Sequence, residues 1–129
     1  NKKNSNILIP ASLGELVDKI TILEIKQTHM TDRQLKNIEK ELKLLKLIIK
    51  KENLKIDNEL VNQLKEVNNN LWQIEDRIRT KERKLEFDNE FILLARSVYK
   101  ENDRRASIKK EINSKFNSEI IEEKSYKEY

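Results

Sequence analysis

The sequence predicts an all-α protein, a bundle of about four helices with coiled-coil-like seams. Its 129 residues include one glycine and one proline, which leaves room for few sharp chain reversals. Charged residues make up 39% of the chain and hydrophobic residues 36%, as expected for helices with narrow apolar stripes and solvated outer faces. Apolar residues recur at spacings of three and four along most of the chain. One domain over residues 1–129 is expected at this length, with an arm over 1–11 and a charged tail over 117–129.

The first predicted helix begins at Ser12, because Ser12 and Glu15 have the spacing of a capping box. It should run to about residue 27 with one broad apolar face. Ahead of it, residues 7–9 form a short apolar run stopped by Pro10. We expect this run to lie extended against the core, or to pair as a strand with a second copy of the chain.

Two further helices follow in order. Residues 31–34 have the pattern of a second capping box, and the helix after them carries a regular apolar stripe that includes Leu42. After a polar break over 50–55, Asp57 can cap a third helix that runs to about residue 85. Lys81 occupies a position in the apolar seam of that helix.

The fourth helix, capped by Asp88, has a seam over residues 91–116 with a polar middle. Asn102, Arg105 and Lys109 stand where apolar residues are expected. Burying two cations and an amide costs several kcal/mol unless partners satisfy them.

The short connection at residues 87–88 predicts that the third and fourth helices are antiparallel neighbours. This pairing puts Lys81 near Ala95, and it brings Glu75, Arg79 and Asn102 to one level.

Charged residues interrupt the apolar faces of three helices, since Glu24 does so in the first. We therefore predict one interior site for an anionic small molecule: a phosphate, a sugar nucleotide or a carboxylate. Arg105, Lys109 and Lys81 would hold the anion, with arginine as a bidentate clamp. Asn102 and Glu24 would orient it. Glu75 would supply a carboxylate or pair with Arg79.

Two alternatives remain open for the same residues. In one, Glu24 and Glu75 form ion pairs with Arg105 and Lys109, and this buried network only sets the register of the helices. The protein would then be a structural or regulatory adaptor that binds a protein partner such as a glycosyltransferase. In the other, the seam is exposed at this point and its long side chains reach solvent.

The composition of the chain argues against several other classes of function. The chain has no cysteine, one histidine and no glycine-rich phosphate loop, so neither a metal nor a cofactor is predicted. A net charge of +4 is too small to indicate nucleic acid. With no apolar run of about 18 residues and no visible signal peptide, we expect no membrane span and a cytoplasmic protein. Strict seams and a thin core favour a homodimer.

Whether the protein is an enzyme stays open. The predicted inward-facing cations resemble in arrangement those of the all-helical chorismate mutases, but the sequence contains no motif that matches these enzymes. The pairs Glu15 with Asp18 and Glu75 with Asp76 are candidates for Mg²⁺, but acids at this spacing are common at helix starts. Only one element of the pattern of all-helical nucleotide pyrophosphohydrolases is present.

Several stretches resemble a small bacterial family of unknown function. The most specific is residues 10–26, PASLGELVDKITILEIK, and supporting stretches lie at 71–76, 95–106 and 122–126. Members often lie beside genes for lipopolysaccharide or other surface polysaccharides, so the resemblance implies a link to that metabolism. It places these charged or polar residues within the family's motif blocks: Glu15, Asp18, Lys19, Glu24, Lys26, Glu75, Asp76, Arg79, Asn102, Asp103, Arg105 and Lys109.

Overall fold

A computed structural model describes residues 6–116 of the chain. Over that range it contains four α-helices and no strand: α1 Leu13–His29, α2 Asp32–Lys51, α3 Asn58–Arg83 and α4 Asn89–Lys115. The all-α prediction and the number of helices are confirmed. Helix α1 contacts each of the other three, α3 and α4 pack along each other, and α2 packs on α1 alone among these helices.

Side-chain caps start three of the helices where the sequence predicts them. The Glu15 backbone N–H donates to Ser12 Oγ at 3.1 Å, and the Glu59 N–H donates to Asp57 Oδ1 at 2.9 Å. The Phe91 N–H donates to Asp88 Oδ1 at 3.0 Å. Each bond satisfies a backbone donor that the first turn of a helix leaves unpaired.

The second capping box, predicted over residues 31–34, is wrong. Thr31 precedes α2 but makes no capping hydrogen bond through its side chain. Asp32 has a φ of 55°, in the left-handed region. The chain therefore reverses sharply between α1 and α2, and this geometry replaces the ordinary approach to a capped helix.

The core has two parts, and α1 belongs to both. One cluster lies where α1, α3 and α4 meet and is formed by Val17, Leu60, Leu64, Val67, Ile108 and Ile112. The other joins α1 to α2 through Ile20, Leu23 and Leu42. Helix α1 is thus covered on two sides, as expected from Ile22 and Ile25, which point away from its broad apolar face.

Helices α1 and α4 approach each other closely at Gly14, the one glycine of the chain. A Cβ atom there would lie 2.6 Å from the Lys109 carbonyl oxygen and 2.9 Å from Asn113 Oδ1. The Gly14 N–H donates to Asn113 Oδ1 at 2.6 Å. The missing side chain lets the two backbones come together at this point.

The antiparallel pairing of α3 with α4 is confirmed, but its predicted register is wrong. Lys81 lies opposite Glu90, with Nζ 2.8 Å from Oε1, where the sequence predicted Ala95. Asn70 Nδ2 donates to Glu101 Oε1 at 3.1 Å. Helix α3 ends at Arg83 and the chain turns at Leu85, which has a φ of 56°, so the hairpin centre lies earlier than the predicted turn.

The apolar run over residues 7–9 does not lie on the core of the chain, contrary to one prediction. Ile7, Leu8 and Ile9 are 85%, 94% and 75% exposed, and residues 6–12 form no strand. The predicted tail over 117–129 lies outside the described residues. Among the helices of residues 6–116, none combines the length and apolar character needed to cross a bilayer.

Candidate functional site

A buried carboxylate on α1, Asp18, holds the polar middle of α4. Arg105 Nε donates to Asp18 Oδ1 at 2.9 Å, and Arg105 Nη2 donates to Asp18 Oδ2 at 2.5 Å. Two parallel N–H···O bonds of this kind fix the guanidinium in position and in plane. The Asp18 side chain is 3% exposed and that of Arg105 is 28% exposed. In this ion pair the carboxylate is therefore buried, and the arginine side chain is partly exposed at the surface.

Helix α3 joins the same pair through an amide. Asn68 Nδ2 donates to Asp18 Oδ1 and to Thr21 Oγ1, both at 2.9 Å. The Thr21 hydroxyl donates to the Asp18 carbonyl oxygen at 2.8 Å. These bonds satisfy polar groups that would otherwise be costly to bury, and they tie α1 to α3 at the level of Arg105.

Lys109 supplies a second buried cation one turn further along α4. Its Nζ lies 3.1 Å from Glu15 Oε1 and 3.7 Å from Asp18 Oδ2. The lysine side chain is 7% exposed. We refer to these six residues together as the Asp18 cluster: Glu15, Asp18, Thr21, Asn68, Arg105 and Lys109.

The cluster favours the ionised form of Asp18. Burial alone would raise the pKa of this carboxyl group. Hydrogen bonds from Arg105 and Asn68, together with the charges of Arg105 and Lys109, outweigh that effect and hold the pKa below its usual value of 3.8. The interior thus contains a carboxylate between two cations, with a second carboxylate, Glu15, at its edge.

Three predicted site residues meet in this region. Arg105 and Lys109 belong to the Asp18 cluster, and Arg105 Nη1 donates to Asn102 Oδ1 at 3.4 Å. The polar middle of the α4 seam therefore faces the interior, as its helical positions predict. Lys109 is among the buried residues of the protein.

The other predicted site residues lie apart from the cluster. Glu24 pairs with Lys46 at 3.1 Å and Lys65 at 3.3 Å. Lys81 binds Glu90 and Asp88 at 2.8 Å near the α3–α4 turn, and this raises the pKa of Lys81.

The prediction that Glu24 and Glu75 form ion pairs with Arg105 and Lys109 is therefore wrong. Asp18 and Glu15 take those positions. For Glu75 the error follows from the predicted α3–α4 register, which placed this residue too near Asn102. Glu24 is on α1 and pairs instead with lysines of α2 and α3.

Glu75 and Arg79 pair with each other at the surface, at 3.7 Å, as one prediction allowed. Both line an open groove of about 370 Å³ that begins at the Asp18 cluster. Arg105 and Asn68 form its inner end. Its apolar walls are Ile22, Ile25, Leu71 and Trp72, and its outer charges are Glu75, Asp76 and Arg79.

The aromatic wall of this groove is itself held in place. The His29 imidazole stacks on the Trp72 indole with ring centroids 4.4 Å apart and planes 16° from parallel. The single histidine thus joins the end of α1 to the middle of α3. No described group of three or more histidine, cysteine or acidic side chains could hold a metal ion over residues 6–116.

Asp18 was not predicted as the partner of Arg105, and the bonds of Asn68 to Asp18 and Thr21 were not predicted either. One signal was present: Gly14, Asp18, Thr21 and Ile25 recur at spacings of four, three and four. These positions form a second face of α1 beside its obvious apolar stripe. A glycine, an acid and a small hydroxyl residue on one helical face indicate a close, polar contact with a neighbouring helix.

These features define an all-helical protein with a charged cluster in its interior and a groove that opens from that cluster. The chain belongs to DUF6165, a family of unknown function, whose model matches residues 7–129. This confirms the resemblance to a family of unknown function. No curated protein and no solved structure matches the chain significantly.

Proposed function

We propose that this protein binds an anionic small molecule in the groove between α1 and α3, with Arg105 at the inner end as the anchor for the anion. The observation that carries the proposal is the position of Arg105. Asp18 fixes its guanidinium from the interior side, yet the side chain remains 28% exposed and lines the groove. An arginine held in this way loses little conformational freedom when an anion binds.

The size and walls of the groove suit a small organic ligand. Small-molecule sites are mostly apolar concavities of roughly 300–1,000 Å³ with a few polar groups that set orientation. This groove, of about 370 Å³, has apolar walls that include Trp72 and charged groups at its rim. It therefore fits a ligand with a planar or apolar body better than it fits a bare inorganic ion.

The charges of the groove limit the anion that it can favour. Arg79 and Arg105 are accompanied by Glu75 and Asp76, and Asp18 lies behind Arg105. The groove is therefore mixed in sign, and a ligand with many negative charges would meet repulsion. One carboxylate or phosphate group attached to an apolar body is the best match. A sugar nucleotide, which has a planar base and a diphosphate with two negative charges, is the largest and most highly charged ligand that we propose.

A fluorescence titration tests the proposal, because Trp72 is the only tryptophan of the chain and lines the groove. We expect UDP-glucose or an aromatic carboxylate such as benzoate to change the emission of the wild-type protein in a saturable way. Inorganic phosphate should bind more weakly than either. Arg105→Met should weaken binding roughly tenfold or more, as expected for loss of a charge-assisted bond of ~1.5–3 kcal/mol.

Arg104→Met is the matched control. Arg104 is the preceding residue, is exposed, pairs with Glu66 of α3 at 3.0 Å, and is not among the residues that line the groove. The Arg104→Met variant should bind each probe like the wild type. Equal weakening by the two variants, or no saturable response to any of the three probes, would exclude the groove as an anion site.

A second candidate function is favoured by the internal balance of charge. Arg105 and Lys109 each have an acidic partner within the protein, so they need no ligand to be buried. In that case the Asp18 cluster only fixes the register of α1 on α4, and the protein is an adaptor that binds a protein partner. This candidate predicts that none of the three probes binds and that Arg105→Met changes stability alone.

The proposal includes three further expectations from the sequence. They are a homodimer, a cytoplasmic location and a role linked to surface polysaccharide metabolism. The sugar nucleotide as ligand connects the last of these to the groove, because surface polysaccharides are built from activated sugars. Light scattering coupled to size-exclusion chromatography tests the dimer directly.

A further inference from the structure

Helix α2 has an outer face that no other described helix covers. Its inner stripe, which includes Ile38, Leu42 and Leu45, packs on α1, and α2 contacts neither α3 nor α4. On a helical wheel the opposite side spans roughly 140° of the circumference without an acidic residue. Glu39 and Glu41 fall outside this arc, towards α1, where they bond to Gln27 and Lys19.

The charges of this outer face are all positive. It carries five exposed cations along five turns of helix: Arg33, Lys36, Lys40, Lys43 and Lys51. None of the five has an ion-pair partner within residues 6–116. A row of unpaired cations on one helical face is an electrostatic match for an anionic surface.

Apolar side chains stand among these cations. Leu44 and Leu47 are 52% and 55% exposed on the side of α2 that faces away from α1, and Ile48 is 43% exposed at the edge of this face, beside the start of α1. Binding to a membrane surface combines the burial of apolar area with the attraction of lysines to anionic lipids, and this face supplies both. The lysine stems can lie along the same apolar layer while their ammonium groups reach the headgroups.

The exposed N-terminal segment adds a second group of apolar side chains, near the C-terminal end of α2. Ala11 and Ile48 line one pocket, together with Leu54 and Lys55. The chain therefore leaves the fold beside the C-terminal end of α2. The preceding residues 7–9 are three aliphatic residues that are all exposed.

We infer that the outer face of α2 docks on the surface of a bilayer that contains anionic lipids. The residues favour a bilayer over an acidic protein, because protein interfaces concentrate their energy in tryptophan, tyrosine and arginine. This face has aliphatic residues and lysines instead, with one arginine. Such a surface recognises a diffuse layer of negative charge above an apolar interior and needs no fixed pairing geometry.

Vesicle co-sedimentation tests the inference with the full chain. We expect binding to vesicles of phosphatidylcholine mixed with phosphatidylglycerol, weakening as salt is added, and little binding to phosphatidylcholine alone. Lys40→Gln with Lys43→Gln should lower the partition coefficient roughly 30-fold, since each lysine near an anionic surface contributes about fivefold. Leu44→Ser with Leu47→Ser should also release the protein.

Two control pairs make the result specific to α2. Lys84→Gln with Lys100→Gln removes the same charge from exposed positions on other elements, and Ile92→Ser with Leu93→Ser removes exposed aliphatic groups from α4. Both control pairs should bind vesicles like the wild type. The inference is overturned by equal losses in the control and α2 variants or by no binding to anionic vesicles. It is also overturned if the α2 variants abolish a dimer seen by light scattering while vesicle binding persists.

Discussion

Asp18 connects three helices through its carboxylate. It is buried, accepts two bonds from Arg105 and one from Asn68, and lies 3.7 Å from the Lys109 ammonium group. A buried pair of this kind adds little net stability over an apolar pair, but removal of one member is costly. The residue therefore matters more for how α1 is placed on α4 than for the total stability of the fold.

Asp18→Asn should destabilise the protein by about 3 kcal/mol near neutral pH, because Arg105 loses its buried counterion. The loss should depend on pH. The native pKa of Asp18 lies below its usual value of 3.8, so its stabilising effect is present above that pH and is lost as the pH falls through the native pKa. Urea unfolding of both proteins from neutral pH downward measures the difference in unfolding free energy.

That difference should begin to narrow below about pH 4, where Asp18 of the unfolded wild-type chain takes up a proton, and should be smallest below the lowered native pKa, where Asp18 of the folded protein is protonated and resembles the asparagine. Other carboxylates with lowered pKa values, such as Asp57 and Asp88, weaken both proteins alike and cancel in the comparison. A difference that stays constant down to the acid limit would show that Asp18 is not stabilised as an anion by the cluster.

At the scale of helices, the closest approach in the bundle is that of α1 and α4 at Gly14. Alanine there would place a methyl group 2.6 Å from a backbone oxygen of Lys109, which cannot move without shifting α4. Gly14→Ala should therefore destabilise the protein by roughly 1–3 kcal/mol, although alanine is the better helix former by about 1 kcal/mol. Ser107→Ala, at an exposed position of α4, is the control. Unfolding in urea that shows Gly14→Ala to be more stable than wild type would contradict the close contact.

Much at this scale could be predicted from the sequence, because it depends on local signals. Helix number, the caps at Ser12, Asp57 and Asp88, and the inward direction of the α4 seam all follow from spacing and side-chain type. The α3–α4 register could not be predicted, since it depends on where α3 ends and on the left-handed turn at Leu85. Glu24 was misplaced for a related reason.

Helical spacing shows that Glu24 lies near an apolar face, but it does not show which neighbours reach it. Lysines 46 and 65 on α2 and α3 do so. The role of Asp18 was overlooked for a similar reason. Its partners lie 50 and 87 positions away along the chain, so no local pattern identifies them.

At the scale of the molecule, α2 is attached through α1 alone and should be the least stable helix. It has one buried residue, Leu42, whereas α1 contributes to both core clusters. Native-state hydrogen exchange should show α2 amides opening at a lower free energy than those of α1 and α3. Anionic vesicles should slow exchange in α2 selectively if its outer face docks there. Protection of α2 equal to that of α3 in the free protein would contradict this hierarchy.

The groove depends both on individual residues and on how the helices are packed in the whole molecule. A carboxylate on α1 and an amide on α3 orient Arg105 of α4, and the same α1 and α3 supply the apolar walls in front of it. The geometry would be lost if α1 shifted on α4, so Gly14 and Asp18 should matter for binding even though neither lines the groove where the ligand is proposed to bind. We expect both single variants at those positions to weaken binding as well as stability.

The most direct test of a ligand site is the side-chain Nε–Hε resonance of Arg105 in a proton–nitrogen NMR spectrum, assigned by its absence in Arg105→Lys. Addition of UDP-glucose should shift this resonance in a saturable way, with the same midpoint as the Trp72 fluorescence change, and should leave the Arg104 resonance in place. An Arg105 resonance that stays unmoved while the probe saturates the protein, or that moves only as much as that of Arg104, would contradict the account.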